Sequence, residues 1–343
     1  MEGLLRVSRR AVLVSGLAAA AAGACGAPLR AFPFDGWEPL GAAEPDTLDV
    51  WFYGVATFLF RWRGIGVLTD PFITRDRFAR VAFGETLPDP SLSAAFVAEM
   101  ADVRAVLIGH GHYDHCLDLP VVAPHLHPDA ALCGDASVAH VFAPLHLPRP
   151  WVRVDDRLAS PTEDGSPIVL AGGRLRVLPI RSGHPFNIPG VHLFRRALTE
   201  DRADPPTRAS HYQEGLTTAW LVDLLDEGGG IAHRVFIETS STGPPSGVAP
   251  KHILEERRVD VALLAMDTAN FRARGEPSVL DHIDPRSVIF CHWDNFFRPV
   301  EDVPREGVKV DLPQLRATLQ GEAGGERYLF PGFGSRFRFQ PPS

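Results

Sequence analysis

From Leu48 onward the chain is built of short apolar runs separated by turn-forming residues, and most of these runs alternate with a period of two. The segments "LDVWFYGV", "TFLFRW" and "GVLTDPF" predict three successive antiparallel strands that open a sheet. In "DPSLSAAFVAEM" the Asp-Pro-Ser start and the helical spacing of apolar residues predict a capped helix from about Ser91 to Met100. The continuous apolar run "VRAVLIG" then predicts a strand buried on both faces. Further strands are predicted near Ala130, Ile168, Leu175, Thr217, Val235, Val261 and Ser287, with helices near Leu117, Val138, His252 and Leu315. Strands outnumber helices, and helices fall between strands throughout. That mixture predicts an α/β sandwich, two sheets packed face to face under outer helices, with no linker interrupting the body after Asp46. The longest irregular stretch, Arg195 to Gly215, exceeds ordinary connection lengths and is expected to rim a binding site.

Composition agrees with a folded body. The 343 residues are 45% apolar and 22% charged, enough to bury a full core and too hydrophobic for disorder. The net charge is −8, and removing residues 1–24, with three arginines and one glutamate, leaves −10. An acidic chain without a basic tract is poorly suited to nucleic acid. Only Lys251 and Lys309 are lysines; a GC-rich genome explains this arginine bias better than phosphate recognition does.

The N-terminus "RVSRRAVLVSGLAAAAAGACGAP" has a basic start, an apolar stretch too short to span a bilayer, and then small residues. It reads as an export signal over residues 1–27. Arg9-Arg10 after Ser8, followed by Leu13, resembles a twin-arginine signal, which implies export of a folded, metal-loaded protein. "AGAC" resembles a lipoprotein cleavage box that would make Cys25 a lipid anchor on a membrane surface in the periplasm or envelope; the alternative is soluble secretion after Ala22-Gly23-Ala24. Residues 28–46, rich in Pro, Gly and Ala, read as a linker, and 47–340 as a single domain. The remaining cysteines, Cys116, Cys133 and Cys291, are odd in number and cannot form a complete disulfide framework.

The candidate chemistry lies in "VLIGHGHYDHC". A strand ending at Gly109 delivers His110 and His112 at i and i+2 on a loop, and Asp114 and His115 begin the next turn. Imidazole and carboxylate at this spacing are normal ligands for zinc and similar divalent ions. Independent residue frequencies would produce such a pattern only about 0.003 times in a chain of this composition, so chance is a weak rival. A structural metal site would more commonly use a closed, cysteine-rich shell.

"HGHYDH" resembles the H-x-H-x-D-H motif of the metallo-β-lactamase-fold hydrolases, with further matches from Asp49 to nearly Phe339. The resemblance implies a four-layer αββα sandwich. "LTDPF" is similar to a turn in which Asp70 would buttress the metal loop; "LPIRSGHPF" would supply His184 and "VIFCHWDNFF" His292. The branch it resembles most contains L-ascorbate-6-phosphate lactonase and N-acyl-phosphatidylethanolamine phospholipase D. The resemblance implies one metal held by His110, His112 and His184, another by Asp114, His115 and His292, and catalytic roles for Asp114 and His292. It implies one or two divalent ions, zinc foremost.

One position departs from that pattern. "RVFIETSSTG" lacks the usual bridging aspartate, and Glu238 or Ser240 takes the place, according to register; Asp267 is a further candidate carboxylate. The expected reaction is hydrolysis of a phosphodiester, ester or lactone by a metal-activated hydroxide, on a small-molecule or lipid-derived substrate. The alternative is a catalytically degenerate envelope protein of the same fold that binds metal or an amphiphile. Asp294 is expected either to support His292 or to cap a helix starting near Phe296. Tyr113, Trp293, Phe296 and Phe297 are expected in the core rather than in a substrate groove.

Overall fold

The computed structural model describes residues 35–36, 44–186, 192–240, 242–299, 305–307 and 310–341. The export signal, Cys25 and most of the 28–46 linker lie outside the described residues.

Three strands, β1 (Leu48–Gly54), β2 (Thr57–Trp62) and β3 (Ile65–Thr69), form an antiparallel meander. In β1, Leu48, Val50 and Phe52 face one core while Trp51 and Tyr53 pack against another, as period two requires. The β2–β3 turn has positive φ at both Arg63 (45°) and Gly64 (72°), the twist that a tight two-residue hairpin needs. After β3 the pairing changes direction. Strands β4 (Val103–Leu107), β5 (Ala131–Gly134) and β6 (Trp151–Arg153) add in parallel, and the last strand, β14 (Arg336–Phe339), closes the other edge against β1.

The second sheet mirrors this plan. Strands β7 (Ile168–Leu170), β8 (Leu175–Arg181), β9 (Thr218–Leu225) and β10 (Ile231–Glu238) are antiparallel, and β11 (Val261–Ala265), β12 (Ser287–Cys291) and β13 (Tyr328–Leu329) continue in parallel. Each sheet thus has seven strands among the described residues.

Two cores follow. One lies between the sheets, where Leu107, Phe60 and Cys133 meet Val222, Val235 and Leu263. The other lies between the first sheet and its helices and includes Val106, Leu68, Phe96 and Leu119. β4 feeds both: Ala105 and Leu107 turn inward, Val106 and Ile108 outward, which is why its sequence is apolar throughout.

Helix α1 (Pro90–Val97) starts as expected, with Asp89 accepting from Ser91 N at 2.8 Å and Pro90 in the first turn. It ends earlier than predicted. Glu99 and Met100 donate to Phe96 and Val97, three residues back, so the last turn tightens out of the α form. No helix starts near Phe296 in the described residues; Asp294 is instead buried in an ion pair with Arg75 at 2.6 Å.

Polar burial in the second sheet is concentrated on Arg234. Its guanidinium is fully buried and donates to Asp223 Oδ1 (2.6 Å) and Oδ2 (3.0 Å), Glu256 Oε2 (3.1 Å), and the carbonyls of Ile253 (2.6 Å) and Arg257 (2.9 Å). Removing the carboxylate would leave that charge partly unpaired inside the sheet–helix layer. Asp223→Ala is therefore expected to lower stability by about 3–5 kcal/mol in urea unfolding; a loss within about 0.5 kcal/mol would show that Glu256 and the carbonyls suffice.

Candidate metal centre

Parallel strands have their carboxyl ends on one side of a sheet, and the residues that follow them gather there. In this fold β3 leads to Asp70, β4 leads to His110, β8 leads to His184, β10 ends at Glu238 and β12 leads to His292. The sheets are joined at this edge by backbone bonds from Thr218 N to Gly109 O (2.8 Å) and from His292 N to Val55 O (2.6 Å).

The glycines of "GHGH" answer to crowding. A Cβ on Gly109 would lie 2.5 Å from Thr239 Oγ1, and one on Gly111 would lie 2.2 Å from the Gln213 carbonyl oxygen. The close approach at Gly111 lets the long 195–215 loop lie directly on the histidine loop, where Gly111 N donates to Glu214 O at 2.9 Å. A one-turn helix, α2 (Tyr113–Cys116), follows His112 and points Asp114 and His115 into the same space.

Asp70 supports this loop from beneath. It is buried at positive φ (37°), accepts from Gly109 N at 2.7 Å, and has Oδ2 3.1 Å from His115 Nδ1. On the far side, Asp294 accepts from Val55 N at 3.0 Å while paired with Arg75, whose guanidinium stacks on Phe333. Val55 in turn holds His292, which takes a left-handed backbone at φ 58°.

The six residues expected as ligands meet in two groups. One nitrogen each from His110, His112 and His184 lie within 4.8 Å of one another, and so do donor atoms of Asp114, His115 and His292. The rings form a row, with centroids 5.3 Å apart from His292 to His115, 3.9 Å from His115 to His110, and 4.6 Å from His110 to His184. Asp114 Oδ2 lies 3.5 Å from His292 Nε2 and 3.8 Å from His115 Nε2.

The donor chemistry suits a divalent metal. His115 is completely buried; its Nε2 has no hydrogen-bond partner, its Nδ1 meets only Asp70 Oδ2 at 3.1 Å without hydrogen-bonding geometry, and His110 Nδ1 is likewise orphaned. Such groups cost about 1–3 kcal/mol each unless something satisfies them. Outer contacts set the tautomers: His184 Nδ1 faces Pro185 O at 2.6 Å and His112 Nε2 faces Leu193 O at 3.2 Å, leaving the opposite nitrogens as lone-pair donors.

Of the three remaining candidates, Glu238 and Asp267 stand outside both groups. Glu238 is buried and accepts a short hydrogen bond from Ser182 Oγ, and Ser240 is buried at the end of the same strand with its carbonyl 3.4 Å from Ser182 Oγ. Asp267 opens a helix, α3 (Met266–Ala273), where its charge reaches His292 without joining the cluster. Tyr113 and Trp293 are core residues, while Phe296 and Phe297 are partly exposed, with Phe296 5.7 Å from the His292 ring. The three cysteines of the body are buried and free.

Two site residues escaped the sequence reading. His192 and Glu214 offer donor atoms within 4.8 Å of each other and of His184. Glu214 precedes the start of β9, whereas the other donors follow strand ends, so a search of strand ends passes over it.

Residues 66–231 match the beta-lactamase superfamily domain. That match takes in the histidine loop and His184 and stops short of His292. No curated protein sequence matches the chain. Among solved structures, the fold is similar to that of Igni18, a metallo hydrolase from the archaeon Ignicoccus hospitalis, at TM-score 0.52 and 15% identity, covering 86% of this chain and 99% of that one. It is also similar to an isothiocyanate hydrolase from Delia radicum gut bacteria, at TM-score 0.51 and 14% identity, covering 86% and 99%. The two seven-stranded sheets with their helices are the metallo-β-lactamase α/β sandwich.

The electrostatics of the metal-free cluster have a stability consequence. Burial, reinforced by neighbouring imidazoles, holds His110 and His184 well below the ordinary value of 6.5, and burial brings His112 down to about 4 despite nearby Asp114. Burial opposes the charged forms of Asp114 and His292 too, but their mutual contact wins: Asp114 falls below the usual carboxylate range and His292 rises. A lowered histidine contributes stability above its unfolded value that is lost as pH falls; raised His292 contributes stability that is lost as pH rises. Burial also raises the carboxyls of Glu214 to about 7 and Asp135 to about 6, which act in the direction of His292; the expectation is that the three lowered histidines outweigh them. The metal-free protein is expected to unfold at lower urea concentration at about pH 5 than at about pH 7, and an unchanged or higher midpoint at the acid end would contradict this.

Proposed function

We propose that the protein is a metal-dependent hydrolase. The observation that carries this reading is the convergence of six donors from segments as distant as His110 and His292 into two adjacent triads. His110, His112 and His184 would hold one divalent ion and Asp114, His115 and His292 another, with zinc the best match to the nitrogen-rich donor set. Ions so held lower the pKa of water towards neutrality and polarise the oxygen of an electrophile.

The chain's own residues supply the rest. Asp114 orients the water, and its contact with His292 fixes that carboxylate as an ionised acceptor. His292 keeps a quarter of its side chain exposed, which leaves the cluster open to solvent on this side. Two apolar surfaces flank the opening: Phe296 and Phe297 beside His292, and exposed Phe186, 4.4 Å from His192. A polar scissile group with apolar substituents fits such walls, which supports a phosphodiester, ester or lactone substrate, lipid-derived if Cys25 anchors the exported chain at a membrane.

The second reading, a binder without turnover, is favoured by one observation: Glu238, the nearest replacement for a bridging aspartate, is committed to Ser182. Metal quantification followed by a panel of phosphodiesters, esters and lactones separates the two. The first reading expects metal-dependent turnover that falls by at least about 1,000-fold in the His110→Ala, His112→Ala variant. Two bound ions with no turnover across the panel would favour the binder.

A further inference from the structure

We propose that His184, His192 and Glu214 form a third position for a divalent cation, on the outer flank of the centre, which shares His184 with the inner triad and competes with it for that ligand. Two histidines and a glutamate around an open position are a recognised donor set for zinc. Their ligand atoms lie within 4.8 Å of one another.

The orphaned atoms point the same way. Glu214 is only 8% exposed, and its Oε2 has no hydrogen-bond partner; Oε1 has only Thr217 Oγ1 at 3.5 Å. His192 Nδ1 is also buried and unpartnered. A buried carboxylate left this bare is costly unless something charged or hydrogen-bonding meets it. Arg195, whose charge reaches both residues, is exposed and, among the described residues, makes no ion pair with Glu214.

Nor is Glu214 on a loose loop. Its N–H donates to Phe194 O at 2.8 Å and its carbonyl accepts from Gly111 N at 2.9 Å. Next to it, Gly215 N donates to Arg196 O and Leu216 N to Asp135 Oδ2, the same carboxylate that caps the helix Ala136–Phe142. The carboxylate is therefore presented by backbone fixed on both sides, as a preorganised ligand is. His184 is the hinge between the positions: its ring lies 4.6 Å and 4.7 Å from those of His110 and His112, and 6.4 Å from that of His192. One lone pair cannot complete both sites, so occupancy of the two positions is exclusive or partial.

This inference rests on the metal reading of His184 and not on turnover, and the test keeps the two apart. The full chain carrying His110→Ala and His112→Ala is dialysed against cobalt(II) and its bound metal counted. Two ions per chain are expected, one at Asp114, His115 and His292 and one at the outer position, falling to one when His192→Ala and Glu214→Gln are added. One ion in both variants overturns the outer position while sparing the rest of the centre, and no ion in either overturns the metal reading of the whole centre. Anomalous diffraction from cobalt-soaked crystals of the His110→Ala, His112→Ala variant, in which nothing competes for His184, decides the same point by position. A peak among His184, His192 and Glu214 supports the proposal, whereas a peak confined to Asp114, His115 and His292 at saturating metal overturns it.

Discussion

Five imidazoles and one carboxylate occupy a space at the edge of two sheets where none of the inner ones can be solvated. His110 and His115 are essentially inaccessible to solvent, and both leave ring nitrogens without partners. Burial of neutral imidazole is affordable only while the rings stay uncharged, and burial itself enforces that by lowering the proton affinity of His110, His112 and His184. The strand ends, the close glycine contacts and the support from Asp70 all serve to hold these lone pairs in place against their mutual crowding.

Joining the two sheets at this edge falls to a second buried group. Arg75, from the segment after β3, pairs with Asp294, from the turn after β12, and Asp294 also takes the N–H of Val55 in the β1–β2 turn. The carbonyl of the same Val55 accepts from His292 N. One histidine of the second triad is thus fixed through a chain of contacts that begins in the opposite sheet. A Cβ on Gly54 would lie 2.1 Å from Arg75 Nη2, so the glycine before Val55 is required by the same clamp.

The layered fold and the strands were legible because period-two alternation and buried runs such as "VRAVLIG" report which faces are covered. The clustered donors His110, His112, Asp114 and His115 were legible from local spacing alone, whereas His184 and His292 needed resemblance, since nothing in single residues 74 and 182 positions from His110 says that they will meet it. Glu214 and His192 lay beyond both kinds of signal. They belong to the irregular chain between β8 and β9, where no periodicity constrains direction, and their proximity to His184 depends on the fold of the whole loop. Asp294 illustrates the opposite case: of its two expected roles, the helix cap gave way to a buried pair with a distant arginine, and tertiary pairing prevailed over local preference.

Charge gives the missing bridge its significance. Six inner donors contribute a single carboxylate, that of Asp114, so two divalent ions held there would face each other with little negative charge between them. Glu238, the acidic residue in the strand where a bridge is expected, is turned to Ser182. Glu214 instead puts a carboxylate beside His184, at the other end of the ring row from Asp114. A centre with its two carboxylates on opposite flanks favours ions drawn apart rather than ions sharing a bridge, and the loop that carries Glu214 becomes part of the site and not merely its rim.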